Sequence, residues 1–130
     1  MNKDNKVYEV IQNDNGEISI ESYVISYSNC DYIYGEKIFP IRVSRIFERN
    51  KLDKFAELDI QDNVNKKSYG YTKKRELAET YTERILAIRN TQEYIAKVDE
   101  LNETKEYYEY QIFSNKLHIA TLDKKIESFY

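Results

Sequence analysis

The sequence predicts an α+β fold in which a small N-terminal antiparallel β unit of two or three hairpins precedes a C-terminal helical hairpin or coiled coil. Three observations carry this. The last 60 residues, from Tyr71 to Tyr130, contain no Gly and no Pro and are rich in Glu, Lys, Arg, Leu, Ile and Ala, a composition that favours helix. Within them Leu77, Tyr81, Ile85, Ile88, Ile95 and Val98 recur at helical spacing, and a second run follows through Leu101, Tyr108, Ile112, Ile119, Leu122, Ile126 and Phe129. The first part of the chain instead alternates apolar and polar residues over short runs separated by turn-forming residues. Residues 1–71 are therefore assigned to the β unit, with a short helix near 50–58, and residues 72–130 to a two-helix region broken near 102–104.

The elements follow in order. Val7–Ile11 reads as a strand, and Asn13, Asp14, Asn15 and Gly16 supply the residues a tight hairpin needs. Ile18, Ile20, Ser22 and Val24 alternate with their neighbours on the return strand. Asp31–Tyr34, a turn at Gly35 and Glu36, and Ile38–Val43 read as a second hairpin whose Pro40 marks an edge or a bulge. Leu52, Phe55 and Ala56 have helical spacing. Leu58–Gln61 and Ser68–Tyr71 then read as a last hairpin across a polar turn.

Thr72 is the expected N-cap of the first long helix, although Lys73, Lys74 and Arg75 then occupy a first turn whose dipole disfavours cations. Such a turn recruits an anion or packs beside acidic neighbours. The two helical runs are out of register at Leu101–Thr104, which places a helix end and a new start there. An unbroken helix over this stretch would be about 90 Å long at ~1.5 Å per residue, so it folds back as a hairpin or projects as a coiled coil. Residues 106–119, dense in aromatics, also fit a β hairpin; the continuing seven-residue spacing favours helix.

Composition bounds function. With 130 residues, 41% hydrophobic and 33% charged, the chain suits one modest domain with exposed helix surface. Its net charge of -3 creates no general attraction to nucleic acid or to an anionic membrane. The single cysteine, Cys30, suits a reducing compartment, and neither a signal sequence nor a membrane-length apolar run is evident. The expectation is a cytoplasmic protein.

Chemistry-bearing groups are few. His118 and Cys30 are the only histidine and thiol. Gly16, Gly35 and Gly70 are isolated rather than gathered in a phosphate-binding loop, and nothing has the spacing of a metal site. No catalytic residue, cofactor or metal is predicted.

Two surfaces stand out instead. Lys66, Lys67, Tyr69, Tyr71, Lys73, Lys74 and Arg75 form a stretch without acids that ends at a helix N-terminus; its cations could pair with phosphates while its rings stack on bases. Asp99, Glu100, Glu103, Glu106, Tyr107, Tyr108 and Tyr110 would gather at the far end of a helical hairpin. Tyrosine buries a large area at low entropy cost and is enriched at binding hot spots, so this acidic, tyrosine-rich end is the expected partner-binding surface.

The strand Ser68–Tyr71 leading through Thr72, Lys73 and Lys74 into a charged helix resembles small accessory proteins of phages and mobile elements in low-GC Gram-positive bacteria, anti-CRISPR proteins among them. The resemblance covers roughly residues 68–101. It implies a non-enzymatic inhibitor or accessory protein, acting in the cytoplasm of a bacterial host by occluding or remodelling a host protein such as a nucleic-acid-processing defence complex. The alternatives are a nucleic-acid-binding module built on residues 66–75, and a self-assembling coiled-coil protein whose partner is a second copy.

Overall fold

A computed structural model describes residues 5–100 and 105–130, and it has an α+β fold: a curled five-stranded antiparallel sheet followed by two helices. The strands are β1 (Lys6–Gln12), β2 (Ile18–Ser28), β3 (Tyr32–Lys37), β4 (Val43–Glu48) and β5 (Ser68–Thr72), in the order β4-β3-β2-β1-β5. The helices are α1 (Arg75–Glu100) and α2 (Lys105–Glu127). Two compact units result. The sheet unit takes in residues up to Ala56 together with Lys66–Glu79, and the helical unit comprises Glu57–Asn65 and Thr80–Tyr130.

The first hairpin forms as its sequence requires. Gly16 sits at φ 88°, where a Cβ is strained, and donates its N–H to the Asn13 carbonyl at 2.9 Å. Val10 pairs with Ile20 across β1 and β2. At the next turn the Asn29 side-chain oxygen accepts the N–H groups of Asp31 and Tyr32, at 2.9 and 2.8 Å.

Several expectations are corrected. Gly35 and Glu36 do not turn the chain, because β3 runs straight through them and the reversal comes at residues 38–42. Gly35 is there for close packing: a Cβ at that position would lie 2.9 Å from Tyr23 Cβ and 3.2 Å from the Phe47 ring. Pro40 lies in this reversal, after a cis Phe39–Pro40 peptide, rather than in a strand.

The helix expected near 50–58 is a single 3-10 turn at Arg49–Lys51. Beyond it the backbone turns its donors to β5, with Asp53 N–H on the Tyr71 carbonyl and Ala56 N–H on the Tyr69 carbonyl, each at 2.9 Å. A free edge strand offers acceptors that outcompete a short, weakly nucleated helix. Gly70 permits this approach, since its φ is 138° and a Cβ would meet Phe55 at 2.8 Å. Accordingly β5 pairs not with residues 58–61 but with β1, Tyr8 opposite Thr72 and Ile11 opposite Ser68.

The sheet curls around Val7, Tyr23, Ile33, Phe47 and Tyr71, all buried. Phe47 contacts Tyr23 and Tyr71 edge-on, with ring centroids 5.4 and 4.8 Å apart; burying such side chains contributes about 1.5–3 kcal/mol each. The Tyr71 hydroxyl donates to the Glu48 carbonyl and accepts the Glu48 N–H, both at 3.0 Å. Since β4 and β5 end the strand order, this one side chain draws the two margins of the sheet together.

Thr72 serves the start of α1 from one turn upstream. Its hydroxyl accepts the Lys74 N–H at 3.0 Å and is bonded to the Asp53 carboxylate, and the helix begins at Arg75. The cations there are balanced locally: Lys74 lies 3.7 Å from Asp53, and Arg75 lies 3.4 Å from Glu79.

In the helical unit Tyr81, Ile85 and Ile88 of α1 are buried, as are Ile119 and Leu122 of α2. The helices run antiparallel, since Arg84 Nε donates to Asp123 at 2.5 Å while Tyr94 meets Tyr108 further along. Arg84 and Gln92 also donate to the loop carbonyls of Leu58, Ile60 and Asp62, which a loop without regular pairing would otherwise leave unmet. Residues 106–119 are helix throughout, so the β-hairpin alternative is overturned. The expected break at 102–104 lies outside the described residues.

Candidate interaction surface

The described part of the acidic, tyrosine-rich end is held by ring contacts. Tyr108 of α2 packs against Tyr94 of α1, with centroids 5.7 Å apart, and against Tyr107 at 5.3 Å. Lys97 Nζ lies 5.6 Å from the Tyr108 centroid, a cation–π contact that contributes about 0.5–1 kcal/mol at an exposed position. Tyr108 is thus half-buried and anchors the cluster, while Tyr107 is 58% and Tyr110 66% exposed. Asp99 and Glu106 are exposed as well. The Glu100 side chain and Glu103 lie outside the described residues. Tyr94, the α1 side of this ring cluster, is absent from the predicted site residues, although Tyr94 and Val98 sit one helical turn apart at the same end of α1.

The basic stretch divides differently. Lys66, Lys67, Lys73, Lys74 and Arg75 are exposed, but Tyr69 and Tyr71 are buried. The Tyr69 hydroxyl donates to Gln12 and accepts the Lys66 N–H, each at 3.3 Å. Both rings belong to the sheet, so the stacking role expected of them has no exposed ring to serve it. Lys74 and Arg75 are also engaged with carboxylates.

A polar cluster that no local sequence pattern announces lies on the inner side of the sheet. Glu9 is buried, and its carboxylate accepts from Arg45 Nη2 at 2.8 Å and from the Ser68 hydroxyl at 2.8 Å. Lys37 pairs with Glu21 at 2.7 Å. The hydrogen bond that Lys37 donates to Glu21 holds its ammonium above the usual range, and those that Arg45 donates to Glu9 do the same for its guanidinium. Burial, reinforced by the Glu9 charge, raises the Tyr23 hydroxyl above the ordinary 10.0, and burial likewise raises Tyr71. Among the described residues no buried side-chain nitrogen or oxygen lacks a hydrogen-bond partner, so this arrangement is that of a structural ion pair. Long-range pairing of Glu9 with residues 36 and 59 positions away left nothing for spacing to reveal.

A second feature of α2 departs from its sequence pattern. Besides the inward residues, Tyr110, Phe113 and Leu117 form an outward stripe, with Phe113 60% and Leu117 55% exposed. The spacing of three and four was visible in the sequence, but a single apolar run per helix suffices for a hairpin and concealed the second one. Ile95, which shares the helical spacing of the buried Tyr81, Ile85 and Ile88, is also exposed.

Among the described residues no group of His, Cys, Asp and Glu is placed to hold a metal, and no helix is long and apolar enough to cross a membrane. No protein-family model, no curated protein and no solved structure matches the chain.

Proposed function

We propose that this is a non-enzymatic binding protein of the phage or mobile-element type, which occludes or remodels a host protein through the tyrosine-rich end of its helical hairpin. The observation that supports the reading is the ring cluster of Tyr94, Tyr108 and Tyr107, in which an exposed Tyr107 packs edge-on against Tyr108 at the acidic end of the hairpin. Rings already ordered by packing lose little entropy when a partner covers them. The flanking carboxylate of Asp99 favours a partner with a basic surface, such as the nucleic-acid-binding face of a defence complex.

Affinity purification from the lysate of a low-GC Gram-positive host tests this. Wild type should retain a host protein, and both Tyr107→Ala and Asp99→Lys should lose it while keeping the helical circular dichroism. Equal retention by the wild type and these variants, or no retained protein together with unaltered host defence in cells, overturns the reading.

A further inference from the structure

From the outward face of α2 we infer a homodimer in which two copies pack this helix antiparallel. Glu106, Tyr110, Phe113, Leu117, Ala120 and Lys124 advance by four, three, four, three and four residues, which keeps them in one stripe of about five helical turns. All six are exposed. The stripe lies opposite the face carrying Ile112, Ile119, Leu122 and Ile126, so packing against α1 leaves it uncovered. A helix that is apolar on two opposite sides needs two partners, and α1 supplies one.

The distribution of charge and size along the stripe selects a second copy as the other. Its N-terminal end carries a carboxylate and the larger rings, and its C-terminal end carries smaller side chains and an ammonium. About a two-fold axis level with residue 115, Phe113 faces Leu117 of the second copy, Tyr110 faces Ala120, and Glu106 faces Lys124. Each pair occurs twice, as a closed two-fold interface requires. Large meets small and acid meets base at every level, whereas a parallel pairing would set Glu106 against Glu106 and Lys124 against Lys124. Neither of these two side chains forms an ion pair with another described residue.

The pairing goes beyond the heterologous binding proposed above. It takes up Tyr110 and Glu106 and leaves Asp99, Tyr107 and Tyr108 for a host protein. Its test separates the two readings. Light scattering under reducing conditions, which exclude a disulfide through the exposed Cys30, should show a dimer that dissociates on dilution. Phe113→Glu should remain monomeric at all concentrations, with unchanged helical dichroism. Glu106→Lys and Lys124→Glu should each weaken the dimer at least about tenfold, and the two together should restore it, because reversal of both partners preserves an antiparallel pairing. Tyr107→Ala should dimerise as wild type does. A wild type that stays monomeric at every concentration overturns the inference, as does a dimer indifferent to Phe113→Glu or a double reversal that fails to restore association.

Discussion

Three tyrosines of the sheet and two of α2 put the same side chain to opposite uses. Tyr23, Tyr69 and Tyr71 are buried, and the hydroxyls of Tyr69 and Tyr71 are bonded to backbone or side-chain groups within the sheet unit. Tyr107 and Tyr110 leave most of their surface to solvent. The difference lies in what surrounds each ring. A curled sheet closes on its inner face, so a long side chain there reaches across to the opposite strand. Two packed helices leave their outer faces open, and a ring on such a face waits for a partner.

The contrast sharpens first at Glu9. Replacing it by Ala removes the acceptor of Arg45 and Ser68 inside the sheet, and should destabilise the protein by roughly 1–3 kcal/mol, measured by denaturant unfolding. A loss below a few tenths of a kcal/mol would mean that the cluster is solvated rather than structural.

A smaller effect is expected from alkaline pH. Tyr23 and Tyr71 hold their protons in the folded sheet beyond the ordinary 10.0, so the unfolded chain ionises first and stability falls as pH rises past that value. Lys37, raised above 10.5, acts in the same direction: its stabilising pair with Glu21 is complete below the unfolded value and is lost as pH passes through the folded one. Unfolding midpoints measured above pH 10 should therefore decline, and less steeply in Tyr23→Phe. An identical decline in that variant would remove Tyr23 from the account.

The fold class was legible because it rests on patterns that survive burial. Alternation at Ile18, Ile20 and Val24 marks a strand, and helical spacing at Tyr81, Ile85 and Ile88 marks a packed helix. Misreadings came where one residue type has two physical uses. Gly35 reads as a turn but makes room for Tyr23 and Phe47. Leu52, Phe55 and Ala56 have helical spacing, yet their segment gives its backbone donors to β5. Neither outcome can be foreseen without the strand partner. The same holds for the surfaces: the seven-residue spacing places Tyr107 and Tyr110 on a helix, where they are exposed, whereas Tyr69 and Tyr71, read as part of a binding stretch, are buried in the sheet unit.

Equilibrium unfolding of Tyr71→Ala beside Tyr107→Ala tests the central contrast most directly. The account predicts a loss of about 3–5 kcal/mol for Tyr71→Ala, which empties the centre of the curled sheet, and a change within about 0.5 kcal/mol for Tyr107→Ala. A Tyr107→Ala variant as unstable as Tyr71→Ala would contradict it, because the exposed ring would then be holding the hairpin together rather than awaiting a partner.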